Sequence, residues 1–256
     1  MTTNAFLLSP FYVDQAVPGA PALAKPQWTI TDPAMNGTER LERVAQVHAP
    51  LARLVAEALQ RGERPVSVVG DCCSTIAVMA GLQRGGLAPL LVWLDAHGDF
   101  NTFETSPSGF IGGMPVAMLV GRGEQGLVRA AGMKNLPETD VVLVGGRDLD
   151  PGERDALARS AVRHVKDPGR VLETLPAGRP IYVHFDPDII NPADAPAMHY
   201  PTAGGPALED VRTLCRRLAA TGRVVAASMT LWELKDDGDG RTERACLAAL
   251  GDLVSG

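Results

Sequence analysis

Asp95, His97 and Asp99 stand at i, i+2 and i+4 directly after the apolar run LLVWL, and in an extended segment three such side chains share one face. Asp186 and Asp188 follow the run IYVHF, and Asp71-Cys72 follows VSVVG. Each fragment ends a stretch that reads as a buried strand. Carboxylates placed near a core are costly unless a cation is close. A two-metal centre is the economical account, because carboxylates with an imidazole form a hard donor set suited to Mn²⁺ and similar ions. That names a chemistry: a metal-activated water attacking an electrophilic carbon. N-capping is the competing reading, but a cap explains one Asp per turn and not five ligands on matching faces.

The elements around these residues alternate. Strands are expected at Phe6–Leu8, Val66–Val69, Leu90–Leu94, Val141–Val144, Ile181–Phe185 and Val224–Leu231. A helical spacing of apolar residues runs from Thr38 to Gly62, where Pro50 is expected to kink or split it. Ser74 or Thr75 is expected to cap a helix reaching about Leu82. Further helices are expected over Pro115–Val120, from Pro151, over Leu208–Ala220 and over Arg241–Val254. Residues 98–111 and 191–206 read as loops. Strands apolar on both faces, alternating with helices, predict a three-layer α/β/α fold with a mostly parallel central sheet, as one domain over 1–256. Such sheets place ligands beyond the carboxyl ends of their strands, where all three acidic fragments fall.

Aromatic residues make up only 5% of the chain, so the core must be built mainly from Ala, Val and Leu. The net charge of −6 and the lack of a Lys/Arg run argue against nucleic acid and anionic membrane surfaces as partners. Cys72, Cys73, Cys215 and Cys246 show no zinc or redox spacing, which predicts reduced thiols and a cytoplasmic protein. Early prolines and the lack of a basic stretch before Lys25 predict no signal peptide, and no apolar run reaches membrane-spanning length. His184 lies within a strand and is expected in the core. His199, in the loop after Pro196, is expected to reach the mouth of the site as a candidate substitute acid–base group. His48 and His164 carry no functional signal.

The stretches VVGDCCST, LVWLDAHGDFNT, SPSGFIGGMPVA, GGRDLDPGE, HFDPDIINPADAP and TLWEL occur in that order over about residues 66–234. Together they resemble the ureohydrolase (arginase/agmatinase) family. The resemblance implies a three-layer α/β fold whose two Mn²⁺ ions hydrolyse a guanidinium carbon. Asp95 and Asp186 look like the carboxylates that bridge both metals, Asp99 like a ligand of the first, and His97 and Asp188 like ligands of the second. Glu233 resembles the glutamate that pairs with the guanidinium, a planar cation able to donate two parallel hydrogen bonds. Asp99, His97 and Glu233 are therefore the catalytic candidates. Asn101 and Ser108 resemble positions that bind an α-carboxylate, and Asp150 the contact to an α-amino group, which favours an arginine-like amino acid over agmatine. Relatives of this kind often form trimers or hexamers, so the resemblance implies a homo-oligomer of that size, with a monomer as the alternative.

Two departures bear on the chemistry. Cys72 stands where the family has a histidine ligand of the first metal, and Gly112 stands where it has a proton-shuttling histidine. A thiolate in place of a neutral imidazole leaves the centre one charge more negative and favours a softer first metal. Loss of a proton donor handicaps a substrate with a basic leaving group, by ~10²–10⁴-fold. A branch of the family that hydrolyses N-hydroxyarginine in cycloserine biosynthesis carries this kind of cysteine substitution. The resemblance to it points to N-hydroxy-L-arginine, ahead of L-arginine, giving ornithine with hydroxyurea or urea. The alternative is a catalytically degenerate member that binds metal or ligand as a regulatory partner.

Overall fold

The computed structural model describes residues 3–256. In chain order the elements are β1 (Asn4–Ser9), a hairpin of β2 (Phe11–Tyr12) and β3 (Gln15–Ala16), β4 (Thr29–Ile30), α1 (Arg40–Gln60), β5 (Arg64–Val69), α2 (Thr75–Arg84) and β6 (Leu90–His97). They continue with α3 (Pro115–Leu119), α4 (Gly126–Ala130), β7 (Val141–Asp148), α5 (Pro151–Ala158), β8 (Arg163–Val165), α6 (Val171–Thr174) and β9 (Ile181–Phe185). Then come α7 (Leu208–Ala219), β10 (Val224–Thr230) and α8 (Arg241–Leu253).

Eight strands form one sheet in the order β4-β1-β5-β10-β9-β6-β7-β8, with every neighbouring pair parallel. Helices cover both faces, and the strand residues alternate between two cores. Leu91 and Trp93 of β6 pack with Val55 of α1 and Ile76 of α2, while Leu90, Val92 and Leu94 pack with Leu214 of α7 and Leu250 of α8. This is why the strands read as unbroken apolar runs: neither face meets water. The chain steps from β5 to β6 across β10 and β9, so the carboxyl ends of β5, β10, β9 and β6 flank a switch in strand order. No helix among the described residues is long and apolar enough to cross a membrane.

Two local expectations are corrected. Pro50 does not split α1, which runs unbroken from Arg40 to Gln60. Its buried residues lie against α2, where a Cβ on Gly81 would meet Ala52 O and Val55 Cβ at 2.6 Å. Close helix packing holds the turn that the missing N–H would otherwise loosen. Neither Ser74 nor Thr75 supplies a capping side chain at the start of α2. A 3₁₀ turn over Cys72–Ser74 precedes the helix, and the Asp71 carboxylate accepts from Cys73 N at 2.7 Å. The other Asp71 oxygen accepts from Val13 N at 2.6 Å, which ties the β2–β3 hairpin to the end of β5. A Cβ on Gly70 would lie 1.9 Å from Phe11 O, so only glycine lets the hairpin approach this closely.

Candidate metal and substrate site

A cavity of about 240 Å³ opens at the carboxyl ends of β5, β6, β9 and β10. Its floor carries Cys72, Asp95, His97, Asp99, Asp186 and Asp188. The donor atoms form two groups that share Asp95. In one, atoms of Cys72, Asp95 and Asp99 all lie within 4.8 Å of each other; in the other, atoms of Asp95, His97 and Asp188 do. Asp186 joins the first group through the Cys72 thiol, which donates to Asp186 Oδ2 at 3.2 Å.

The sequence spacing brings these residues together by a different route from the one it suggests. Asp95 and His97 end β6, with a register irregularity between them. Asp99 lies beyond the strand, with φ of +49°, an uncommon conformation for a residue with a Cβ. Asp186 and Asp188 flank the start of a 3₁₀ turn, closed by Asp188 N donating to Asp186 Oδ1 at 3.0 Å. Trp93 Nε1 donates to Asp95 Oδ2 at 3.0 Å, Ala96 N donates to Asp188 Oδ1 at 3.0 Å, and the His97 ring lies with Nδ1 2.9 Å from Asp188 Oδ2. The donors are thus oriented by neighbours before any ion binds.

Electrostatics fit a cation. Burial, then the charge of Asp186, pushes the Asp95 carboxyl up, and burial, then Asp95, pushes Asp99 well up. Burial and Asp188 push Asp186 up to about 7, and burial and Asp95 push Asp188 up to about 6. Burial pulls His97 down, but hydrogen bonds to Asp188 and Asp95 outweigh it and push the imidazole up to about 12. The Cys72 thiol is pushed well up by burial and by Asp99 and its acidic neighbours. Asp99 Oδ2 is buried without a partner among the described residues. A divalent ion would relieve this crowding of acids and reverse the direction of every carboxyl shift. The donor set therefore fits the expected metals.

Asn101, Ser108 and Asp150 all line the cavity. Asn101 Nδ2 donates to Asp150 Oδ2 at 2.9 Å, so this pair stands together, while Ser108 Oγ accepts from Phe110 N at 3.2 Å. Glu233 is not among the lining residues. Its Oε2 lies 3.1 Å from His199 Nδ1 and 3.5 Å from Lys235 Nζ, and His199 itself lines the cavity. Glu233 thus meets the site through an imidazole. His184 is buried in the core as expected, with Nδ1 2.8 Å from Ser228 Oγ and 3.1 Å from Thr75 Oγ1. Cys73 is a core thiol that donates to Ile111 O.

Several residues at the site escape sequence reasoning. Tyr12, Phe110 and Tyr200 meet at the rim, with Tyr12 and Phe110 rings 5.9 Å apart, Phe110 and Tyr200 rings 6.0 Å apart, and the two tyrosine hydroxyls 3.2 Å apart. They come from three separate segments and leave no local signal. Glu153 lines the cavity, accepts from Phe100 N and Asp150 N, and is pushed up to about 7 by burial. It did have a signal: D-P-G-E is a capping-box pattern, and Asp150 and Glu153 form that box at the start of α5.

A parallel α/β sandwich with a pocket of metal-competent acids at its strand ends defines a class of hydrolase. The Arginase family model matches residues 24–254, and the chain belongs to that family. It is a hydrolase acting on the C–N bonds of linear amidines. It is 32% identical over 227 residues to an arginase of Bacillus caldovelox, covering 83% of this chain and 76% of that protein. It is 30% identical over 201 residues to the N(omega)-hydroxy-L-arginine amidinohydrolase of Streptomyces lavendulae, covering 76% of this chain and 70% of that protein. The solved arginase structure from Bacillus caldovelox matches with a TM-score of 0.86 at 25% identity, over 100% of this chain and 99% of that chain.

Proposed function

We propose that this chain hydrolyses the guanidino group of an arginine-like amino acid, N-hydroxy-L-arginine in preference to L-arginine, using two manganese ions. The observation that carries the reading is the pair of donor groups sharing Asp95 in one buried, acid-rich cavity. In this reading Cys72, Asp95, Asp99 and Asp186 would hold the first ion, and Asp95, His97, Asp186 and Asp188 would hold the second. Bound there, the ions would lower the pKa of a water toward neutrality. The protein's own residues do the rest. Asp150, fixed by Asn101, offers a carboxylate to the α-amino group, and Asn101 and Ser108 face the α-carboxylate. The rim of Tyr12, Phe110 and Tyr200 restricts solvent at the mouth.

N-hydroxyarginine is favoured by Cys72, by Gly112 and by the Streptomyces lavendulae relative. A thiolate at position 72 would soften the first site, which then accepts zinc, cobalt or iron beside manganese. The degenerate-member reading draws on Cys72, a buried thiol held protonated by its acidic neighbours. Retention of all five hard donors favours turnover.

Metal content by plasma mass spectrometry after manganese loading, followed by colorimetric assay of urea and hydroxyurea from N-hydroxyarginine, arginine and agmatine, separates these readings. About two ions per chain and fastest release from N-hydroxyarginine are expected. No bound ions and no product would leave the degenerate-member reading. Equal or reversed rates on arginine would remove the substrate preference.

A further inference from the structure

His97 is the open member of its donor group. Its side chain is 27% exposed, against 1% for Asp95 and 7% for Asp188. An imidazole in contact with water can turn about its last torsion and can carry its proton on either nitrogen. To serve a cation it has to do neither. The nitrogen facing the acids has to offer a lone pair, and the other has to hold the proton. The nitrogen facing the acids is Nδ1, 2.9 Å from Asp188 Oδ2 and 3.4 Å from Asp95 Oδ1. Nε2 meets Thr202 Oγ1 at 3.2 Å.

We infer that Thr202 is the positioning residue of His97, fixing the proton on Nε2 and so leaving Nδ1 for the second ion; this rests on the two-ion reading above. The direction of the bond follows from the hydroxyl. Thr202 has a single O–H, which donates to Tyr200 O at 3.4 Å, a carbonyl that can only accept. What Oγ1 presents to His97 is therefore a lone pair, and Nε2 is the donor. Asp148 is the competing acceptor. Its Oδ2 lies 4.0 Å from Nε2, beyond hydrogen-bond reach, on a side chain that is 64% exposed.

The loop that carries Thr202 is tied down on the far side. Arg147 Nη2 donates to Thr202 O at 2.9 Å, and Arg147 Nε donates to Ala203 O at 3.2 Å. Nη2 also donates to Asp188 O at 2.9 Å. The residue that accepts from Nε2 and the acid that faces Nδ1 thus hang from one guanidinium. The Tyr200 ring stands 6.3 Å from the imidazole at 85°, an edge-to-face contact that resists rotation of the smaller ring.

The test uses full-length protein and reads the imidazole and metal binding, not turnover. In zinc-loaded protein with isotope-labelled histidine nitrogens, NMR is expected to show the His97 proton on Nε2, exchanging slowly in the parent and rapidly in Thr202→Val. Calorimetric titration with manganese is expected to show ~10–100-fold weaker binding in Thr202→Val at the group holding His97 and Asp188, with the group holding Cys72 and Asp99 unchanged. Thr202→Ser keeps the hydroxyl and loses the methyl, and is expected to bind within about threefold of the parent, as is Asp148→Asn. A parent proton on Nδ1 would overturn the assignment. So would a serine variant as weak as the valine one, which would place the effect in methyl packing, or a larger loss in Asp148→Asn, which would make Asp148 the partner. The parent tautomer and the Asp148→Asn comparison decide the matter even if Thr202→Val does not fold. A parent that takes up two ions and is unmoved by Thr202→Val refutes Thr202 alone; a parent that takes up none sinks the two-ion reading and this one with it.

Discussion

Arg147, at the end of β7, should prove a strap for half of the candidate metal site. Its guanidinium donates to Asp188 O at 2.9 Å, Ile189 O at 3.0 Å, Thr202 O at 2.9 Å and Ala203 O at 3.2 Å. One side chain thereby joins the turn bearing Asp188 to the loop bearing Thr202, and Thr202 Oγ1 in turn touches His97 Nε2. Gly205 makes room for it, since a Cβ there would lie 2.8 Å from Arg147 Cζ. Hydrogen bonds to a charged donor contribute about 1.5–3 kcal/mol each. The guanidinium is only partly buried, so water would replace some of them in a variant. Arg147→Met, which keeps the stem, is therefore expected to cost about 2–4 kcal/mol rather than the full sum. Urea unfolding of the metal-free protein measures this. Calorimetric titration with manganese should then show about tenfold weaker binding at the group holding His97 and Asp188, with the group holding Cys72 and Asp99 unchanged. Arg147→Lys should recover less than half of the stability, because an ammonium cannot reach four carbonyls in one plane. A stability loss below about 0.5 kcal/mol, or equal weakening at both groups, would refute the reasoning.

Cys72→His is expected to raise manganese occupancy of the first group, because a neutral imidazole replaces a thiol that burial and acidic neighbours keep protonated; unchanged metal content by plasma mass spectrometry would mean that Cys72 is not a ligand. His48 is buried in α1 with neither ring nitrogen partnered among the described residues, and burial lowers it to about 4 from 6.5. The folded state therefore resists protonation while the unfolded chain accepts it. Stability from this group is complete above pH 6.5 and is lost as pH falls from there toward 4, by up to about 3 kcal/mol. His48→Leu should flatten that part of the acid limb, and parallel curves for parent and variant in urea unfolding between pH 7.5 and 4.5 would contradict the account.

Much of this molecule was written locally. Strands buried on both faces appear as continuous Val, Leu and Ile runs, so the parallel sheet, the helices and the strand-end acids could be read from short windows. The motif stretches likewise carried the family. Some local rules pointed to residues that the fold brings together by another geometry. Asp99 joins Asp95 through a left-handed backbone and not through strand alternation, and Asp188 joins Asp186 through a 3₁₀ turn. The signal was composition at a strand end, and tertiary crowding chose the conformation.

Glu233 shows where such reading stops. Its motif marks it as an acid near the site, but only the folded chain sets His199 between it and the cavity. The same holds for Arg147 and for Tyr12 on a hairpin pinned by Asp71. Sequence by itself determined which donors exist and which strand ends carry them, because hydrophobic periodicity and metal-ligand chemistry are properties of a few adjacent residues. Which residue stands between Glu233 and the cavity, which carbonyls are strapped together and which hairpin closes over the end of β5 depend on contacts between segments tens of residues apart, and those distances are fixed only when the sheet and its loops pack.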